Sequence, residues 1–403
     1  MIVGMNALVQ RLRPLLNRER LVDTAVRLIA VPSPTGDAGA VSDALADHLT
    51  RDGFPVERPD GGYPKAPAVA VRLDSGKAGR VLQFDGHLDT VHLPFAPPDV
   101  DGGRITGSGA ADMKGGIAAA VESLRILKDA SALSGGSVLF TAHDLHESPW
   151  GDGRQLEGLI RAGFVGDAAL LPEPMFETLP VAGRGLAIWK VEIRRQGGPV
   201  HEVMRPREEP SVISAAGALI RELDRLSSVL SARDDGFAGP PELHPGKPSV
   251  FIGQVHSGEI YNQYPQVCRL EGTRRWLPGT DRVEVEREFR GILDHVTRGS
   301  GATVSLDWIF TRDAFRLDPA HEFVATFRSA YEACSGRPIG LGAKPFVDDG
   351  NTFWATSKIP AITHGARSAG QHTVHEWVDV DDLCRVALLY AATACSYCAN
   401  SDI

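Results

Sequence analysis

The chain has 403 residues, 43% hydrophobic and 23% charged, the composition of an ordinary globular protein with length enough for two domains. Its formal net charge of -9 gives no electrostatic case for nucleic acid or an anionic membrane as a partner. Five cysteines in so long a chain do not suggest a disulfide framework, and Cys395 and Cys398 read as buried thiols of a C-terminal helix. The opening run MIVGMNALVQRLRPLL lacks a basic start and a small-residue cleavage site, so no signal peptide is expected. No apolar run reaches the roughly 18 residues of a membrane span, and a cytoplasmic protein is the expectation. Residues 5–30 read as a helix interrupted near Pro14, closed by a proline-containing loop over 31–36. Residues 38–52 repeat their apolar positions with helical spacing. Short apolar strands follow at 68–73, 80–85, 137–141 and 168–171, with helical stretches at 113–128 and 153–162 between them. Strands alternating with helices imply an α/β domain built on a mostly parallel sheet.

The middle of the chain changes character. A strand over 186–194, a helix over 210–230, strands over 250–255 and 268–276, a helix over 281–296 and a strand over 303–309 give the order βαββαβ. That order is a ferredoxin-like α+β unit. The turn-rich stretch 232–249 lies inside it as a loop. Helical patterns at 319–334 and 380–396 return to the first domain. The expected division is therefore a first domain over 1–182 and 314–403, split by an inserted domain over 183–313.

Six short motifs carry the chemistry. His87 and Asp89 follow the strand 80–85 and stand two apart, so on extended backbone they leave it facing the same way. Asp112 follows the glycine-rich turn of GSGAADMKGG. Glu147 lies in TAHDLHES after the strand 137–141, and Glu173 lies in LLPEP directly after 168–171. His372 and His375 lie in GQHTVHE, and His201 in GGPVHE. In open α/β sheets, sites form at the carboxyl ends of strands, where His87, Glu147 and Glu173 all fall. Imidazoles and carboxylates gathered there are metal-site chemistry. Each motif alone is weak, since a lone loop histidine is more often a surface residue than a ligand.

Taken in order, GHLDTV, GSGAADMKGG, PEP and QHTVHE resemble the M20 metallopeptidase and deacylase family, and the resemblance covers essentially the whole chain. That family includes acetylornithine deacetylase, succinyl-diaminopimelate desuccinylase, glutamate carboxypeptidase and aminoacylase relatives. The resemblance implies a site for two divalent metal ions. His87 and Glu173 would hold one and Glu147 and His372 the other, with Asp112 bridging. Asp89 would accept the second ring N–H of His87 and fix its tautomer. A cis peptide is implied after Asp112. Three carboxylates and two imidazoles suit zinc, with manganese or cobalt as alternatives. A bridging carboxylate screens two mutually repelling dications, and a water between them would lose its proton near neutral pH.

One departure from the family pattern stands out. The family's Asp-Glu-Glu run supplies a general base followed by a ligand, whereas here the residues are Asp144-Leu145-His146-Glu147. A register with Asp144 as base would put Leu145 at the ligand position, which leucine cannot fill. His146 is then the expected base, since imidazole can take a proton at neutral pH. Asp144 reaching in from the loop is the alternative. The resemblance also makes the split domain the catalytic, metal-binding one and the insert a lid and dimerisation domain, with His201 a lid residue that reaches the partner's site in a dimer. It makes Asn262 and Arg275 residues that hold the substrate's carbonyl or carboxylate, with Arg274 competing for Arg275's role.

The expected function is metal-dependent hydrolysis of a C–N amide bond in a small carboxylate-bearing substrate, as by an N-acyl amino acid deacylase or dipeptidase. One alternative is hydrolytic deamination of an aromatic amine, as by nitroanthranilate aminohydrolase, for which the changed base and Trp150 beside the metal loop leave room. Another is a non-catalytic binding relative. A homodimer or higher oligomer through the lid is expected, with no nucleic acid or membrane partner.

Overall fold

The apolar run at 81–84 becomes the centre of a six-stranded sheet. Val81–His87 runs parallel to Ser137–His143 on one side and to Ala168–Leu171 on the other, and Ala361–Thr363 continues the parallel set. Val69–Asp74 pairs antiparallel with Ser137–His143, and Val56–Glu57 pairs antiparallel with Val69–Asp74. Every residue of Ser137–His143 and Ala168–Leu171 is buried, as expected of strands covered on both faces. The one polar residue in the central run, Gln83, is satisfied inside the sheet. Its amide donates to Thr141 Oγ1 at 2.7 Å and its carbonyl accepts the N–H of Gly166 at 3.0 Å.

This is a computed structural model, and it describes residues 2–149, 151–205, 208–233 and 240–399. The chain divides into two units. The first is Met1–Val181, Leu317–Ala343 and Asp348–Ile403, and the second is Ala182–Arg316 with Lys344–Val347. Lys344–Val347, which nothing in the sequence separates from their neighbours, go with the second unit. In the first unit, the helix Ile2–Leu12 gives way to a tight turn over Arg13–Leu15 at Pro14. The helix Arg18–Ile29 then starts from Asn17, whose side chain accepts the N–H of Arg20 at 2.9 Å. The helix expected from Met113 begins instead at Gly115 and ends at Asp129. Asp112 and Met113 have non-helical backbone, at φ -130° and -134°, and cannot belong to it. Gly115–Asp129 packs against the closing helix Val380–Ala399. A second, small sheet lines up Ser368–Ala369, Trp377–Asp379, Arg104–Thr106 and Asp99–Asp101.

In the second unit the sheet order is Ser249–Ser257, Val267–Trp276, Gly185–Arg194, Thr303–Arg312, with all neighbours antiparallel. The helices Val212–Ala232 and Arg282–Ser300 supply Leu219, Leu223 and Phe289 to a core shared with Trp189, Val191 and Leu270. This is the expected ferredoxin-like arrangement. No helix among the described residues is long and apolar enough to cross a membrane.

Candidate metal centre

The centre lies wholly in the first unit, at the carboxyl ends of its parallel strands. His87 is the last residue of its strand and pairs in register with His143. Glu147 follows the end of Ser137–His143, and Glu173 follows Ala168–Leu171. The approach around Glu173 excludes side chains. A Cβ on Gly116 would lie 2.1 Å from the carbonyl oxygen of Pro172, and one on Gly365 would lie 2.3 Å from that of Glu173. His372 sits between the strands Ser368–Ala369 and Trp377–Asp379 with φ 60°, a left-handed conformation that costs a non-glycine residue energy. Leu145, at φ 67°, does the same in the loop before Glu147.

The five expected ligands converge. Asp112 Oδ1 lies 3.2 Å from His87 Nε2, while its Oδ2 lies 3.4 Å from His372 Nε2. Glu173 Oε1 is 3.7 Å from His87 Nε2, and Glu147 Oε1 is 3.2 Å from His372 Nε2. Asp112 thus stands between two imidazole–carboxylate pairs, one on each oxygen. The cis peptide expected between Asp112 and Met113 is present.

The electrostatics ask for positive charge. Burial opposes a charge on His87, yet Asp112, Glu173 and Asp89 outweigh it and hold its imidazole well above the usual range. Hydrogen bonds to the carboxylates of Asp112 and Glu147 push His372 up to about 10. Burial, reinforced by Asp112, raises Glu173 well above an ordinary carboxyl. Glu173 Oε1 is buried and has no hydrogen-bond partner. A buried carboxylate oxygen facing imidazole nitrogens at more than 3.5 Å fits a site for a cation, because a direct hydrogen bond would be shorter.

Other expectations come out differently. The Nδ1 of His87 bonds the backbone carbonyl of Asp89 at 2.9 Å, whereas the Asp89 carboxylate is 3.6 Å away. That carboxylate is turned to the loop carrying Glu147, where it accepts the N–H groups of His146 at 3.1 Å and Glu147 at 2.8 Å. Asp144 does not reach into the centre. Its carboxylate accepts the N–H groups of Gly36, Ala38 and Leu145 at 2.9, 3.0 and 2.6 Å. His146 does reach it, with its ring stacked on that of His87 at 4.0 Å.

In the second unit, His201 is not at the end of the first strand, which stops at Arg194. The turn at Gly197, with φ 73°, intervenes, and His201 lies on a two-residue strand paired with Gln263–Tyr264. That pairing brings His201 Nε2 within 3.0 Å of Asn262 Nδ2. Arg274 is buried and donates to Glu288 Oε2 at 2.9 Å, whereas Arg275 is half-buried with a buried Nη1 that has no hydrogen-bond partner. Trp150 lies outside the described residues.

Two groups at the centre have no signal in the sequence. Asp349, at the start of the helix Asp349–Ser357, places Oδ2 2.7 Å from His146 Nδ1. Behind it the fully buried His143 stands 3.4 Å from both Asp85 Oδ2 and Asp349 Oδ2. Burial opposes a charge on His143, but the two carboxylates prevail and raise it well above the ordinary range. Glu376 is the other: it is part of GQHTVHE, but nothing in that motif says what it touches. Its Oε2 accepts the N–H groups of Ala111 and Asp112.

A family model described as Peptidase family M20/M25/M40 matches residues 84–396. A succinyl-diaminopimelate desuccinylase of Methylobacterium sp. (strain 4-46) is 30% identical over 383 residues, covering 90% of this chain and 92% of its own. A protein of the same name from Methylobacterium radiotolerans is 28% identical over 404 residues, covering 94% of this chain and 98% of its own. Among solved structures, the M20 family metallo-carboxypeptidase Sso-CP2 from Sulfolobus solfataricus matches with a TM-score of 0.77 at 14% identity, over 94% of this chain and 99% of that one.

Proposed function

The chain belongs to peptidase family M20/M25/M40 and is a hydrolase of amide bonds; from that membership we propose that it removes the acyl group of a small N-acyl amino acid with the help of two divalent metal ions, zinc first, manganese or cobalt otherwise. The observation that carries the reading is Asp112, whose two oxygens face two separate imidazole–carboxylate pairs. His87 and Glu173 would hold one ion and Glu147 and His372 the other. Bound there, such ions supply Lewis acidity and make water a stronger nucleophile near neutral pH.

In the net reaction the water oxygen joins the acyl carbon, the C–N bond breaks, and a proton ends on the leaving nitrogen. Asp89 holds the loop of Glu147 in place through two backbone amides. Two roles fit an imidazole placed as His146 is. It could carry that proton, as its place in the sequence suggests, or bind the ion beside His87. Arg275, with a buried N–H lacking a partner, suits a substrate carboxylate, and Asn262 suits its carbonyl. The reading includes a homodimer or higher oligomer formed through the second unit, in which His201 serves the partner's site, and a cytoplasmic location. The relatives named for desuccinylation make an N-succinyl amino acid the first substrate to try.

The test is metal analysis followed by a substrate panel on zinc- and manganese-loaded protein. The panel sets N-succinyl and N-acetyl amino acids beside dipeptides and amino-substituted aromatic acids. Release of a free amino acid with two ions bound per chain is the expected result. Ammonia from the aromatic acids alone would replace this reading with deamination, and a metal-free, inactive protein would reduce it to a binding relative.

A further inference from the structure

We infer that His146 is a metal ligand, completing with His87, Glu173 and Asp112 a four-donor set around one ion of the pair. The inference rests on the dinuclear reading above and goes beyond it, because the five residues expected there leave that ion three protein donors. Glu173 Oε1 lies 3.6 Å from His146 Nε2 and 3.7 Å from His87 Nε2. Donor atoms of His87, His146 and Glu173 all fall within 4.8 Å of one another. Those separations are too long for hydrogen bonds. They match donors sharing one ion: bonds of about 2.1 Å in a tetrahedron put neighbouring donors about 3.4 Å apart. The shared oxygen, Glu173 Oε1, is buried and has no hydrogen-bond partner, so a ligand for it is missing from the protein's own groups.

The far side of the ring agrees. His146 Nδ1 meets the fully buried carboxylate of Asp349 at 2.7 Å, and Asp349 is held in turn near His143 at 3.4 Å. A carboxylate on one ring nitrogen fixes the tautomer, leaving the lone pair on the other, and so is the usual support of a ligating histidine. The His146 ring lies nearly parallel to that of His87, at 10°, with both Nε2 atoms turned to one oxygen. The consequence is asymmetry. One ion would have four protein donors and the other three, Asp112, Glu147 and His372. A closed set is the hallmark of a tightly held ion, and an open one leaves a position for water or substrate.

The test uses metal-free whole protein titrated with Co(II), followed by absorption and by the cobalt-shifted, exchangeable imidazole N–H signals in proton NMR. In wild type one equivalent should bind more tightly than the next. In His146→Gln the tight equivalent should weaken by about 100-fold or more, and one shifted N–H signal should vanish while the spectrum of the weaker equivalent stays. Asp349→Asn should weaken the same equivalent by about 10–100-fold. Should His146→Gln fail to fold by circular dichroism, X-ray absorption of the cobalt-loaded wild type decides. Imidazole scattering from His87, His146 and His372 together supports the inference, and scattering from His87 and His372 alone overturns it. A folded His146→Gln with wild-type affinities and all its signals, but turnover reduced by about 10²–10⁴, also overturns it and makes His146 the proton carrier. Wild type that takes up no Co(II) overturns the dinuclear reading and this inference with it.

Discussion

Glu376 Oε2 accepts the backbone N–H of Asp112 at 3.3 Å, joining two segments 264 positions apart. The same oxygen accepts the N–H of Ala111 at 3.2 Å. The loop that carries Asp112 is therefore held by the loop that carries His372. Glu376→Ala leaves those amides without their acceptor and frees Asp112 to shift. We expect apparent zinc affinity, measured by competition with a chelator, to fall by about 10–100-fold. Glu376→Gln keeps an acceptor oxygen and should lose less. Unchanged affinity in the alanine variant would mean that Asp112 is held without Glu376.

Two adjacent arginines should separate cleanly. Arg274 is buried and paired with the half-buried Glu288, which Arg233 also reaches, so Arg274→Ala should lower the unfolding free energy by about 1–3 kcal/mol, the scale of a hydrogen bond to a charged group. Arg275→Ala removes a guanidinium that nothing in the fold pairs through its buried Nη1. Its thermal stability should stay near that of wild type, while KM for a carboxylate-bearing substrate rises by about 10-fold or more, the scale of one charge-assisted hydrogen bond. An Arg275→Ala enzyme with normal KM would take the substrate carboxylate elsewhere.

His364 gives a pH dependence that does not involve the metal centre's own titration. It is fully buried, both ring nitrogens lack a hydrogen-bond partner, and Phe327 and Tyr331 meet its ring edge-on. Burial, helped by Arg385, lowers its pKa from 6.5 to about 3. Between those values the unfolded chain binds a proton there that the folded chain does not, so stability must fall as the pH drops. The contribution is at most about 1.4 kcal/mol per pH unit. Denaturant titrations from pH 7.5 to 4 should show a shallower acid loss in His364→Leu than in wild type. Parallel curves would show that His364 protonates in the folded state.

If His201 serves a partner's site, two inactive variants should help one another. A His201→Ala subunit mixed with a His87→Ala subunit forms some hybrid dimers in which one site has intact ligands and a donated histidine. Activity should recover to a fraction of wild type after exchange, with exchange itself followed by mass-tagged subunits. Proven exchange without recovery would place His201 outside a shared site.

The candidate ligands are legible in the sequence because they sit where local signals are strongest. His87, Glu147 and Glu173 each follow an apolar strand, and strand ends can be read from a short window. Asp112 and His372 are framed by glycine-rich and polar loops with recognisable spacing. What the sequence does not disclose depends on contacts between distant segments. Asp349 is 203 positions from His146, and an aspartate at a helix start looks like an ordinary cap. Asp89 shows a subtler limit. Its spacing from His87 correctly puts the two together, but whether the carboxylate or the carbonyl receives the ring N–H depends on the amides of residues 146 and 147, which arrive through the fold. The start of the helix at Gly115 is obscured for a similar reason, since the apolar pattern continues through Met113 although its backbone is not helical.

Because the first unit is interrupted by the second, the order of biosynthesis matters to the centre. His87, Asp112, His146, Glu147 and Glu173 leave the ribosome before any residue of Ala182–Arg316, and Asp349 and His372 leave only after it. About 200 residues separate Glu173 from His372, a delay of roughly 10–40 s at usual synthesis rates. Throughout that interval the nascent chain carries three carboxylates without the histidine that faces two of them. On the proposed ligand sets, only the ion of Glu147 and His372 would have to wait for the end of translation, and a chain truncated anywhere within the second unit would never acquire a complete centre.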